Sequence, residues 1–319
     1  MNMFATLLRR EYHENRAGFL WTPIVVGALF TVLTIVGLAV AVAKGNNAGL
    51  VIDGVPISEL VGRLGTEELS KLGNGIDIAL GGIWGLIQAA LFFVVLFYLL
   101  GALFDDRRDR SVLFWKSLPV SDAKTVLSKA ASAVFVAPLL AWAVSVAFGL
   151  LFLVVLSLYV LTLGLNPLTT IWGPATPVSV FVSSFAMVPL TALWSLPMVG
   201  WMLLCSAFAG NRPFLWAIGA PALAGLMLAW LGVLKVFRDG AEFYWQHVFL
   251  RIVAGVVPGN WMWFANGDAA EVEIAAGRLA GFAVASASSL LTNPATWIGA
   301  VIGIAMIWGA IELRRRVSE

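Results

Sequence analysis

The sequence predicts an all-α polytopic membrane protein with six transmembrane helices, an N-terminal amphipathic interfacial helix, and re-entrant or interfacial helices between spans 5 and 6. Three observations carry this prediction. Of the 319 residues, 60% are hydrophobic, and mean hydropathy is +0.91. Only 12% are charged, about half the share found in soluble domains. Six apolar runs are free of Asp, Glu, Lys, Arg and His in their interiors, Glu312 standing next to the last residue of the sixth. A charge at a bilayer centre costs about 2.5–3.5 kcal/mol on insertion scales, so charge-free runs of this length read as spans.

The chain reads as one domain over residues 1–319, without internal repeat, low-complexity tract or linker. Residues 1–18 open it with a helix that presents Phe4, Leu7, Leu8 and Tyr12 on one face and Arg9, Arg10, Glu11, Glu14 and Arg16 on the other. That pattern suits a helix lying on a membrane surface. The first span covers 19–43. Ala39-Val40-Ala41 offers a small-residue cleavage site, but an apolar region of about 25 residues exceeds the 7–15 of a signal sequence, so the span is expected to be retained. Residues 44–77 form an external loop punctuated by glycine, with a helical turn near Thr66 to Leu72. The second span covers 78–104, and the charged segment 105–129 leads to the third, 130–163. That span reaches about 50 Å at 1.5 Å per residue, against a hydrocarbon core of about 30 Å, so it must tilt, project into water or bend near Pro138.

A short uncharged turn over Asn166 to Pro177 precedes the fourth span, 178–209, in which Pro189 and Pro197 predict kinks. Gly210-Asn211-Arg212-Pro213 turns the chain into the fifth span, 214–234. The external loop 235–293 contains two apolar pieces, Val248 to Val257 and Leu279 to Leu291, each too short to span and therefore re-entrant or interfacial. The sixth span, 294–313, ends in Arg314-Arg315-Arg316. Thirteen Lys and Arg residues fall in the N-terminal segment, the 105–129 segment, the Gly210 turn and the C-terminus, against seven in the two large loops. The positive-inside rule then places both termini in the cytoplasm; the membrane expected is a bacterial cytoplasmic (inner) membrane, multi-pass. Trp21, Trp172, Trp216, Trp245, Trp261 and Trp297 fall near span ends, where tryptophan anchors at the headgroups.

Several function classes are poorly served by these residues. A net charge of +2, with its basic residues sorted by membrane side, gives no nucleic-acid groove. Gln88 is the most polar residue within a span. Carriers coupled to proton or sodium gradients usually need intramembrane carboxylates, histidines or broken-helix ion sites. His13 and His247 both lie outside the spans, which leaves no histidine set for an intramembrane metal. Glu67-Glu68 has no such histidine partners and reads as loop surface. The single cysteine, Cys205, cannot form an intrachain disulfide. No G-x-x-x-x-G-K-[ST] motif occurs, so this chain binds no ATP itself, and it is expected to be a non-enzymatic subunit without its own cofactor.

The segment 105–129 carries six basic and four acidic residues between two apolar runs. Within it, a short helix over Ser111 to Ser117 places Val112, Trp115 and Leu118 on one face and is ended by Pro119, after which Ser121 or Asp122 can cap the next helix. Phe114 and Trp115 stand among charges in a water-facing loop, as large aromatics do at partner interfaces. Arg110-Ser111, Ser117-Leu118-Pro119-Val120-Ser121, and Val126 with Lys129 resemble the corresponding loop of permease subunits of the ABC-2 exporter family. The layout of the whole chain is also similar to that family: a surface helix, six spans, and short outer helices between the last two.

The resemblance implies that the 105–129 loop docks on a separate cytoplasmic ABC ATPase, with Arg110, Ser111, Leu118, Pro119, Ser121 and Lys129 at the coupling site. The N-terminal helix, with Phe4, Leu7, Leu8, Arg9 and Arg10, would form part of the same interface. It further implies ATP and Mg on the partner ATPase, a second permease copy as homo- or heterodimer, and lipids around the spans. Many members have a Glu and a Gly-Thr pair before the proline motif, where this chain has Asp105-Asp106 and Asp109-Arg110-Ser111. The function expected from these residues is ATP-driven export of a hydrophobic or amphipathic substrate such as a lipid, peptide or drug. The alternative is a passive channel or structural membrane subunit without an ATPase.

Overall fold

In the computed structural model, the structure describes residues 3–48, 51–52, 55–56, 65–109, 121–234, 240–261 and 287–316. The chain is an all-α polytopic membrane protein. Six helical stretches are long and apolar enough to cross a membrane: Ala17–Ala43, Glu67–Arg108, Asp122–Thr162, Pro177–Phe208, Leu215–Val233 and Pro294–Arg316. The first element, α1 (Met3–Glu14), is followed by a π-helical turn, Ala17–Trp21, and by α2 (Thr22–Ala48). Among the described residues the only extended pairing joins Val51–Ile52 to Val55–Pro56, two residues a side and antiparallel.

The next helix, α3 (Thr66–Ala102), begins well before the apolar run. The helical turn expected near Thr66 therefore continues without a break through Gly73 and Gly75, and the end of the loop assigned to 44–77 is helical. Gly73 is required by packing: a Cβ there would collide with the backbone of Pro174. After α3 the chain breaks at Leu103 and resumes as α4 (Phe104–Arg108). The third span begins with α5 (Asp122–Ala131), passes through a π turn, Ser132–Val136, and continues as α6 (Ala137–Thr162). The excess length is thus taken up by a polar first stretch and an altered turn immediately before Pro138. Helix α7 (Pro177–Phe208) runs through Pro189 and Pro197 without interruption. The fifth span combines a π turn, Leu215–Gly219, with α8 (Ala220–Val233). Segment 240–254 is helical throughout as α9 (Gly240–Phe243), a π turn Tyr244–Phe249, and α10 (Leu250–Ala254). Residues 287–292 are helical, and α11 (Pro294–Arg316) closes the chain.

Prolines explain three of the π turns. Proline lacks an N–H and its ring crowds the carbonyl four residues back. For Pro23, Pro138 and Pro221 that carbonyl belongs to Phe19, Val134 and Ala217, each the central residue of a five-residue π turn. Widening the turn relieves the clash and leaves a carbonyl in search of a donor. At Ala217 the donor is Trp201 Nε1 of α7, at 2.9 Å.

Helix α3 is central. It is clamped to its parallel neighbour α7 at both ends. At one end Asp77, buried, accepts from the Thr176 backbone N–H at 2.9 Å and from the Thr176 hydroxyl at 2.6 Å, so it caps the N-terminus of α7 from a different helix. At the other, Ser206 Oγ of α7 accepts from the N–H groups of Leu103 and Phe104, both at 3.0 Å, and donates to Leu100 O at 2.8 Å. Arg107 answers by donating to the carbonyls of Ser206 and Ala209, both at 2.8 Å, where α7 ends.

Helices α7 and α11 run parallel and cross in backbone contact. A Cβ on Gly200 would collide with the Gly303 carbonyl oxygen, and one on Gly303 with the backbone carbonyl of Leu196. With Gly303 level with Leu196 to Gly200, Pro294 stands roughly 20 Å short of the start of α7, at 1.5 Å per residue. The ledge this leaves is occupied by the 240–261 segment. Arg251 of α10 is buried there, its guanidinium 3.8 Å from the centre of a Trp194 ring, donating to the carbonyls of Ala295 and Thr296 at the start of α11. Gly255 packs on Met198 and Ser195, near the middle of α7. That depth fits the re-entrant reading of Val248 to Val257. The piece Leu279 to Leu291 lies outside the described residues except at its end.

Candidate functional site

Both chain termini meet at one end of the bundle, here the proximal end, and a buried ionic cluster joins them. It is built from five elements. Leu7 and Glu11, one turn apart on α1, are buried against the body of the protein, Glu11 at 2% exposure. This corrects the amphipathic reading of the first helix, which put Glu11 on the polar face beside Arg9 and Glu14. A helix that packs on protein as well as on lipid has a third face, and Glu11 lies on it. Phe4 and Leu8 are partly buried, Arg9 is exposed, and Arg10 pairs with Glu14 at 2.6 Å.

Glu11 faces Lys129 of α5, with Nζ 3.3 Å from Oε1. Lys129 is only 4% exposed, and its Nζ also lies 3.6 Å from Asp106 of α4. Tyr98 of α3 donates its hydroxyl to Glu11 at 2.8 Å. Arg314 of α11 completes the set by bridging Asp106 and Asp122, each at 3.0 Å. Isolated charges in such a site would be prohibitive, and alternating signs with hydrogen-bonded heads are what make their burial possible. Asp106 and Asp122 lie on the two sides of residues 110–120. Arg314 therefore ties the entry and the exit of that segment to the last helix, while Lys129 ties its exit to the first.

Of the expected coupling residues, Arg110, Ser111, Phe114, Trp115, Leu118 and Pro119 lie outside the described residues. Ser121 is the N-cap of α5, its side chain accepting from the Lys124 N–H at 3.4 Å. The alternative cap, Asp122, is the first residue of α5 and bonds Arg314. Lys129 stands inside the protein, so it has no surface with which to touch a docked partner. It ties the helix that follows residues 110–120 to α1 and α4 instead.

Beside the cluster a cavity of about 500 Å³ opens between α1 and α3. Phe19, Val94 and Phe97 wall it on one side and Glu11, Asp105 and Lys129 on the other, so its lining is apolar in one half and ionic in the other. Among the described residues no group of His, Cys, Asp or Glu side chains forms a metal-ligand set.

Nothing in the sequence pattern marks Glu11, Tyr98, Asp106 and Arg314 as one group. A signal existed for Arg314: Gly303, Ile307, Ala310, Ile311 and Arg314 follow one helical face, all buried. Extending that phase by one turn separates Arg314 from Arg315 and Arg316, which pair with Glu312 near the surface. No protein-family model matches the chain, and neither a curated protein nor a solved structure matches it.

Proposed function

We propose that this chain is the membrane-spanning permease subunit of an ATP-driven ABC exporter. It would couple hydrolysis by a separate cytoplasmic ATPase to export of a hydrophobic or amphipathic substrate. The observation that carries this reading is the anchoring of residues 110–120. Arg314 bridges Asp106 and Asp122 at 3.0 Å each, and Lys129 links the same base to Glu11. A segment held by buried ion pairs to the first and last helices passes a push at its tip into the spans. The ABC-2-like residues of the 105–129 segment, the charge-free spans and the six-span layout support the same reading, the Lys and Arg distribution supports a cytoplasmic proximal end, and the resemblance to ABC-2 permeases is what suggests a bacterial inner membrane.

The test is purification from the native host in mild detergent, with a count of what accompanies the chain. A cytoplasmic ATPase in one-to-one ratio with the permease is expected, and Phe114→Ala with Trp115→Ala should remove it while the spans stay folded. A chain that emerges alone, with no ATP hydrolysis in the sample, would sink the exporter reading in favour of a passive channel or structural subunit.

A further inference from the structure

Serine and threonine within apolar helices commonly satisfy their hydroxyls by bonding a carbonyl one turn back. This chain follows that habit at Thr31, Thr34, Ser145, Ser157, Ser183, Ser184 and Ser195. Thr191 does not. It is 4% exposed, and its Oγ1 has no hydrogen-bond partner. Thr191 borders a small void at mid-length of α3 and α7, and two further polar side chains border the same void: Trp84, whose buried Nε1 also lacks a partner, and Gln88, at 5% exposure. Trp84 and Gln88 are one turn apart on α3 and so share a face. The rest of the lining is apolar, with Leu91, Pro138, Val188 and Val256 among it.

From this convergence we infer a binding site for one neutral hydroxyl oxygen, held by Trp84, Gln88 and Thr191. The void's volume is about 10 Å³, the room that one water-sized group needs, and two to four polar partners are what holds such a group in a protein interior. The chemistry of the lining selects the ligand. Trp84 Nε1 can only donate, so the ligand must accept there, whereas Thr191 and Gln88 can each donate or accept. A carbonyl oxygen could only accept, from Trp84 and one other donor, whereas water or an alcohol accepts from Trp84 and can also donate to the Thr191 or Gln88 oxygen, so a hydroxyl suits either orientation of those two side chains. No charged residue borders the void, so an ion would meet no counter-charge. The two sources of that oxygen are a lone water and the hydroxyl of an amphiphile whose chain leaves between the helices. The inference does not rest on an ATPase partner, and its test does not use transport.

The test is an experimental map from crystals grown in lipid, at a resolution that shows ordered waters, for the wild type, Thr191→Val and Thr191→Ser. Density within hydrogen-bond distance of Trp84 Nε1 and Thr191 Oγ1 is expected in the wild type and in Thr191→Ser, and its loss is expected in Thr191→Val. An isolated peak identifies water, and a peak continuous with a chain identifies an amphiphile. Thermal unfolding in detergent provides the second reading, with a lower midpoint expected for Thr191→Val than for Thr191→Ser. An empty void in the wild type, together with a Thr191→Val midpoint equal to or above the wild type's, would overturn the assignment.

Discussion

Lys129 is a residue whose neighbours reverse its meaning. In the sequence it is one of six bases in a charged segment, whereas in the fold it is a buried cation between Glu11 and Asp106. Lys129→Met should destabilise the protein by about 3–5 kcal/mol, because it leaves the buried Glu11 carboxylate without its cation, whereas Asp106 keeps Arg314. Adding Glu11→Gln to Lys129→Met should restore part of that loss, since the two changes remove opposite ends of one interaction. Thermal unfolding of the single and double variants in one detergent checks this, and strictly additive losses would show that Glu11 and Lys129 are not coupled. None of these pairings was legible in the chain, because each joins residues far apart in sequence whose helical phases matter only once the helices are packed. Asp77 and Ser206 escaped notice for the same reason: each caps a terminus belonging to another helix.

At the scale of the helix, much could be read in advance. All six apolar runs are spans, because a charge-free run of this length has few ways to satisfy its backbone other than as helix. The starts of α3 near Thr66 and of α5 at the Ser121 cap were legible, but not that the helical turn at Thr66 continues unbroken into the span, since polar helix beyond a span depends on neighbours that composition does not reveal. The glycines had a packing role that spacing alone did not show. Gly303→Ala would set a methyl carbon against the backbone of Leu196, next to Pro197, where neither chain can yield by rotating a side chain. Overpacking of this kind costs about 1–3 kcal/mol, and Gly37→Ala, which meets open space, should cost far less. A paired measurement of their unfolding midpoints tests this, and equal midpoints would remove the crossing from the list of contacts that hold α7 to α11.

For the molecule as a whole, fold class was legible and the proximal site was not. Its ionic residues were visible as charges, but the cluster exists only where α1, α3, α4, α5 and α11 meet, and the aromatic pair Phe114 and Trp115 remains an expectation from sequence. The unequal lengths of the spans have a consequence beyond the protein. The apolar run of the third span, 130–163, has 34 residues and the fifth candidate span has 19, or about 50 Å and about 28 Å at 1.5 Å per residue. Lipid touching the fifth span therefore faces a short apolar wall, and lipid touching the third and fourth faces a taller one. A bilayer meeting both must change its thickness around the protein's circumference, at a cost of fractions of a kcal/mol per Å of mismatch. Thermal stability in bilayers of increasing acyl-chain length should pass through a maximum, and a flat response would mean that the taller helices stand clear of the hydrocarbon. The protein is in this sense a step in the membrane surface, and it would settle where the bilayer is already uneven.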